Sequence, residues 1–221
     1  MITYIYILQG VFLTLFITII CLSFGIFIGF LMGTCIFFKV EITSLLFHRN
    51  NNINKFALPS LYNFCGFYKK FFINTPILTQ MFLVYFVLPI PLSPLWAGIV
   101  VLSLNSGAHV TVIVLEALDN IPTNQWHTAI SLGFTPWVAL KRIFFKSIIL
   151  NNRKLLFNEF ITLLKESSVL STFGVREICF RSKEVALQEY NFLPYMLFVS
   201  LIYFCTIGLF EKIYFKYINN I

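Results

Sequence analysis

The sequence predicts an all-α membrane protein with five spans, or six, in a single domain over residues 1–221. Three observations carry that expectation. Apolar residues make up 58% of the chain and charged residues 11%, about half the roughly 25% charge of a soluble domain. Apolar tracts recur at lengths near the roughly 20 residues needed to cross about 30 Å of hydrocarbon. Cations gather between those tracts, as Lys and Arg do in cytoplasmic loops, so the net charge of +7 calls for no nucleic acid.

The first tract runs from Ile5 to Phe38, with no charge before Lys39. It has neither a basic leader nor a small-residue cleavage site, so it reads as a retained span. Gly25, Gly29 and Gly33 recur every four residues on one face, a pattern that lets a second helix approach closely. The stretch KVEITSLLFHRNNNINK (39–55) sets Lys39, Arg49 and Lys55 against one Glu. Its basic bias places it inside and the N-terminus outside.

A second tract, Phe56 to Ile90, is interrupted by Lys69, Lys70 and Asn74-Thr75-Pro76. Proline removes a donor from the helix ladder, so the tract is one kinked or broken span returning outward, or two. Pro89, Pro91 and Pro94 in LPIPLSP mark a turn. Leu95 to Leu115 forms a third span, inward, carrying Asn105, Ser106 and His109. A polar group at that depth faces a cavity or a neighbouring helix, so His109 either lines a path or makes an interhelical hydrogen bond.

The stretch NQWHTAISLGFTPWVALKRIFFKS (124–147) then breaks an otherwise apolar chain. Pro122 suits a helix start, Gly133 a left-handed C-terminal cap, and Thr135-Pro136 an N-cap with proline at the first helical position. Two short helices joined by a turn along the membrane surface are expected, with Trp126 and Trp137 as interfacial anchors and Lys141, Arg142, Lys146, Arg153 and Lys154 holding the segment inside. A fourth span, about Leu155 to Leu164, carries Glu159, the one mid-span acid. The polar tract 165–190 follows, then a fifth span from Phe192 to about Phe210, and a C-terminus inside with Lys212 and Lys216.

Chemistry on substrate bonds is not indicated. The five cysteines (21, 35, 65, 179 and 205) stand singly, with neither CxxC nor metal-ligand spacing. No GxxxxGK[ST], HExxH or GxSxG occurs. The expectation is no catalytic residue, no metal and no cofactor.

Six fragments in order carry a resemblance. They are QGVFLTL (9–15), NTPILTQMFLVY (74–85), LSLNSGAH (102–109), IPTNQWHTAISLG (121–133), LLKESSVLSTFGVREI (163–178) and FEK (210–212). Their order and spacing resemble the membrane subunit of bacterial ABC importers for polar amino acids, the histidine and glutamine permease family. The resemblance implies the ABC importer type I permease fold, an inner-membrane location and a glutamine-like substrate. It also implies a cytoplasmic ATPase dimer, a second permease copy or paralogue and a periplasmic amino-acid-binding protein as partners within the lipid bilayer.

The coupling loop of the family, which docks on the ATPase, corresponds to about 117–146. Its implied contact set is Gln125, Trp126, His127, Thr128, Ala129, Leu132 and Gly133. An implied substrate pathway comprises Thr75, Pro76, Asn105, His109, Lys165, Ser167 and Ser168. Departures from the family pattern accompany these matches: His127 and Thr128 stand where it has glutamate and alanine, and Lys146 where it has a later proline. His109, Val112 and Leu115 replace its Tyr, Glu and Arg, and Ile73-Asn74 replaces its arginine and glycine. Those losses keep a second reading open, a permease that assembles without transporting. An ion-coupled transporter is a third, although no internal halves are visible.

Overall fold

A computed structural model of the chain describes residues 2–46, 57–87, 89 and 91–218. Arg49 and Lys55, two of the cations used to orient the first loop, lie outside those residues. Every described element is a helix. The elements are α1 (Ile2–Leu46), α2 (Ala57–Asn74), α3 (Ile77–Phe82, continued by a π turn Leu83–Val87), α4 (Pro94–Asp119) and α5 (Thr123–Ser131). Next come α6 (Pro136–Ala139), a π turn (Leu140–Phe144), α7 (Phe145–Asn151), α8 (Arg153–Glu166), a 3-10 turn (Ser167–Phe173), α9 (Ile178–Gln188) and α10 (Phe192–Ile218).

Among the described residues, three helices are long and apolar enough to cross a membrane: Thr3–Phe38 of α1, Pro94–Asp119, which is α4, and Phe192–Lys216 of α10. A fourth candidate is the pair Tyr62–Asn74 and Ile77–Val87, bent by 113° at Thr75-Pro76. Pro76 has no N–H to give the ladder, so the helix breaks there. α8 has 14 residues and runs into the 7-residue 3-10 turn. At 1.5 and 2.0 Å per residue the two reach about 21 and 14 Å, together enough to cross about 30 Å of hydrocarbon.

Side-chain register gives the relative directions of the long helices. Gly25 faces Ser106, Gly29 faces Val110 and Gly33 faces Val114. Both numbers rise together, so α1 and α4 are parallel. Tyr4 packs on Tyr195 and Phe198, while Val11 and Leu15 share a small cavity with Ile202 and Thr206, so α10 is parallel to α1 as well. Phe157 stacks on Tyr214 and Phe160 on Phe210; here one number falls as the other rises, which makes α8 antiparallel to α10. Parallel spans need an odd number of crossings between them. Among the described residues the bent α2–α3 pair can supply one and α8 with its 3-10 turn the other, an arrangement that agrees with the expected five spans.

The glycine face predicted for α1 is where its packing is tightest. A Cβ at Gly25, Gly29 or Gly33 would lie 2.6, 2.5 or 2.8 Å from the facing side chain of α4, closer than two carbons approach. Small residues let the two backbones meet, and dispersion contacts replace the solvent-driven force that lipid does not supply. One core cluster joins α1, α4 and the 3-10 turn through Ile17, Cys21, Leu102 and Leu170. Another lies at the far ends of α1 and α4, where Phe37, Val114 and Leu118 pack against Trp126, Ala129 and Phe144.

The tract 165–190 is more buried than its polarity suggested. Ser167, Ser171, Glu177 and Ser182 all have little or no exposed surface. α9 is held against the start of α1: Arg181 donates to the Tyr6 carbonyl and to Gln9, each at 3.1 Å. The helix begins on Glu177, whose carboxylate accepts from the N–H groups of Cys179 at 2.8 Å and Phe180 at 2.7 Å. This is the capping pattern that satisfies orphan donors at a helix start. α9 therefore sits at the end of the bundle where α1 begins, and α5 to α7 sit at the opposite end.

Glu177 makes that end of the bundle sensitive to pH. Burial pushes its carboxyl from the ordinary 4.5 up to about 7, against the pull of its two backbone donors, Lys183 and Tyr203, with Cys179 alongside. Between those values the folded state holds a proton that the unfolded chain has released, so stability falls as pH rises through that window. Glu177→Gln should flatten the fall, measured as the thermal midpoint of the purified protein between pH 5 and 8; an identical slope in both proteins rejects the assignment.

Candidate functional site

The α5–α6 turn is built as its residue types dictate. Gly133 takes φ +85°, its N–H bonds the Ile130 carbonyl at 2.9 Å, and the Phe134 N–H bonds the Ala129 carbonyl at 3.1 Å. That pair of bonds is a Schellman cap, which needs a left-handed residue at this position. Thr135 follows as the N-cap of α6, its hydroxyl accepting from the Val138 N–H at 3.4 Å. Pro122 precedes α5 as its N-cap residue.

The seven proposed coupling residues divide between two faces. Gln125, His127, Thr128, Leu132 and Gly133 are exposed, Leu132 at 71%. Trp126 and Ala129 point inward instead. Trp126, expected as an interfacial anchor, packs its ring 4.4 Å from that of Phe144 and 5.6 Å from that of Phe37. The reason is helical spacing: with Gln125 and Thr128 outward, positions 126 and 129 fall on the face toward α1 and α7. Trp137 does remain exposed, consistent with an anchor. Between α5 and the π turn lies an open groove of ≈ 330 Å³ lined by Asn124, Gln125, Thr128, Leu132, Ile143 and Phe144 among others. One turned loop thus combines a rigid inner side with a solvent-facing outer edge.

Of the pathway residues, Thr75, Pro76 and Asn105 come together at the α2–α3 bend. Gln80 joins them and was not singled out from the sequence, although it lies within the NTPILTQMFLVY motif. Its side-chain amide donates to the Phe72 carbonyl, the Thr75 carbonyl and the Thr75 hydroxyl at 3.0, 3.0 and 2.8 Å. Asn105 of α4 donates to the Phe72 carbonyl at 3.1 Å and to Gln80 Oε1 at 3.3 Å. The break at Pro76 orphans those carbonyls, and two buried amides satisfy them. Asn105→Leu removes both donors and should lower stability by about 1–3 kcal/mol, measured as thermal inactivation of the purified protein. Equal stability would remove Asn105 from the bend.

His109 lies one turn beyond Asn105 on α4 and is partly buried. Glu166 at the end of α8 lies within electrostatic reach of both His109 and Glu159. Glu159 is 8% exposed and lies beside Ser106, whose buried hydroxyl has no partner in hydrogen-bond geometry. Ser167 is buried and donates to the Leu164 carbonyl at 2.8 Å, while Ser168 donates to the Lys165 carbonyl at 2.7 Å; Lys165 itself is exposed. The two serines spend their protons on the turn that converts α8 into a 3-10 helix. The proposed pathway residues thus do not form one site: Thr75, Pro76 and Asn105 meet at the α2–α3 bend, His109 lies toward Glu166 at the end of α8, and Ser167 lies beside Tyr203 of α10. Among the described residues no group of three or more His, Cys, Asp or Glu side chains could hold a metal.

Comparison with known proteins follows the same outline. The family model described as a binding-protein-dependent transport system inner membrane component matches residues 25–219. A Rickettsia bellii protein provisionally named glutamine transport system permease protein GlnP is 30% identical, covering 92% of this chain and 87% of that protein. The arginine transport system permease protein ArtQ of Bacillus subtilis is 28% identical over 91% of this chain and 86% of its own. Among solved structures, an amino acid ABC transporter crystallised with histidines superposes with a TM-score of 0.79 at 23% identity, over 98% of this chain and 94% of that one. The inward-facing MetNI methionine ABC transporter superposes at 0.73 and 18% identity, over 97% and 95%. The fold is that of a type I importer permease, and the chain belongs to the family of binding-protein-dependent transport system inner membrane components.

Proposed function

We propose that this transport subunit forms the membrane path of an ATP-driven importer for a polar amino acid, with residues 1–221 acting as one permease domain. The observation that carries the coupling role is the α5–α6 turn, where a Schellman cap at Gly133 and a buried Trp126 hold Gln125, His127, Thr128 and Leu132 along an exposed edge. A cytoplasmic ATPase dimer docks on that edge, and its closure reaches the bundle through Trp126, which packs on Phe37 of α1. Cations between α5 and α8 support a cytoplasmic position for this end. The N-terminus and α9 are then outside, where a periplasmic binding protein delivers substrate.

A second copy, or a paralogue, completes the path across from the α4–α8 seam, which holds His109, Glu166 and Ser168 at partly open positions. The relatives include proteins named for glutamine and for arginine, so the substrate class is polar amino acids and glutamine is its first candidate. Reconstituted with its ATPase and a loaded binding protein in proteoliposomes, the permease should raise ATP hydrolysis in response to one amino acid. A complex whose hydrolysis ignores every loaded binding protein would indicate a permease that assembles without transporting. Uptake driven by an ion gradient without ATP would reject the importer reading.

A further inference from the structure

An exposed side of α1 and the second half of the α5–α7 loop border an apolar groove of ≈ 430 Å³, far more than the roughly 30 Å³ of one water. Phe27, Leu31 and Thr34 form its α1 wall, and Trp137, Lys141 and Phe145 line the opposite side. Phe27 to Cys35, the extent of the α1 wall, spans about 12 Å along the helix axis. Aromatic contacts brace both sides: Phe30 lies 5.1 Å from Phe145 and Phe38 lies 6.1 Å from Trp137, ring centre to ring centre. The Thr34 hydroxyl already donates to the Phe30 carbonyl at 2.7 Å, so the α1 wall asks for no polar ligand. At the rim, Lys141 is exposed.

We propose that this groove holds one acyl chain of an anionic phospholipid whose headgroup pairs with Lys141. Three observations select that occupant. The groove opens along α1, a helix long and apolar enough to span a membrane, where exposed Phe27, Leu31 and Trp137 present apolar surface. An interfacial Trp beside a cation is the arrangement that meets the boundary between acyl chains and headgroups. From Asn120 to Asn158 the chain has five cations, Lys141, Arg142, Lys146, Arg153 and Lys154, and no acid. A headgroup phosphate at this level therefore meets attraction and no opposing carboxylate from the same segment. Because Trp137 and Lys141 belong to the loop that carries Gly133, a bound lipid also ties that loop to α1.

Titration of the purified permease complex with phosphatidylglycerol and phosphatidylcholine, followed by native mass spectrometry, tests the assignment. The wild-type protein should prefer phosphatidylglycerol by about fivefold, the scale of one basic residue at a membrane surface. Lys141→Gln should erase that preference and leave phosphatidylcholine binding in place. Leu31→Trp, which fills the groove, should reduce retention of both lipids. An unchanged preference in the Lys141→Gln protein overturns the headgroup assignment, and wild-type retention in the Leu31→Trp protein overturns the groove. A disulfide between two copies of a Leu31→Cys protein would make the occupant a second permease, and loss of the ATPase from the Leu31→Trp complex would make it the ATPase; either result also rejects the lipid.

Discussion

Gly133→Val is expected to reduce ATP-driven uptake by at least about tenfold while leaving membrane insertion and purified yield unchanged. The φ of +85° lies in the left-handed region, where a Cβ meets the following carbonyl at a cost of about 1–2 kcal/mol, with a β-branched side chain at the upper end. Apart from Gly133 and its chain neighbours, no atom lies within 4 Å of a Cβ built there, so the penalty is one of backbone conformation alone. The strained turn can relax only by giving up the Ile130 and Ala129 carbonyl bonds, which changes the angle between α5 and α6. Trp126 and Ala129 stay anchored in the core, so the displacement falls on the exposed edge that we propose meets the ATPase. A graded series sharpens the test. Asn tolerates the left-handed region better than Ala, and Ala better than Val, so uptake should fall in that order. Equal uptake across the series would separate the turn from coupling.

How much of this was legible in the sequence varies with the range of the interaction. The Gly133 cap and the Thr135-Pro136 start are local, decided by backbone preferences within a few residues, and both appear as expected. The α1 glycine face was legible as a face, because period four fixes one side of a helix, but its partner was not. That Ser106, Val110 and Val114 oppose it is a matter of which two spans pair. The choice between five and six spans, left open by Pro76, turns on the relative direction of α1, α4 and α10, and their parallel register agrees with five. Trp126 was misplaced because an aromatic near a membrane surface reads equally well as an anchor or as core, and only the position of Phe37 and Phe144 decides it. Gln80 was passed over for a related reason: its partners are backbone carbonyls freed by a bend 5 to 8 residues earlier, and no sequence pattern announces a carbonyl in need.

Gly10→Ala should be more damaging than Gly29→Ala, although Gly29 belongs to the more regular motif. The physical difference lies in what each new methyl would meet. At Gly29 the obstructing atoms are Val110 Cβ and Cγ1, both 2.5 Å away, and they belong to a side chain that mutation can shorten. At Gly10 they are the Ile178 Cα at 2.6 Å and N at 2.8 Å, which are backbone atoms at the start of α9. That backbone is pinned by the Glu177 cap and by the Arg181 bond to the Tyr6 carbonyl, so the methyl has to push α9 away from α1. Overpacking of this kind costs about 1–3 kcal/mol and more where the surroundings cannot yield. In thermal inactivation of the purified protein, Val110→Gly, which removes both obstructing atoms, should restore part of the stability lost in Gly29→Ala, a coupling that a double-mutant cycle reads directly. Truncating Ile178 to Ala should restore nothing to Gly10→Ala, because the clashing atoms remain. Gly208→Ala, with open space around its Cβ, serves as the neutral control. Rescue of Gly10→Ala by Ile178→Ala would mean that α9 yields at that point, and α9 would then be a movable part of the permease rather than a fixed one.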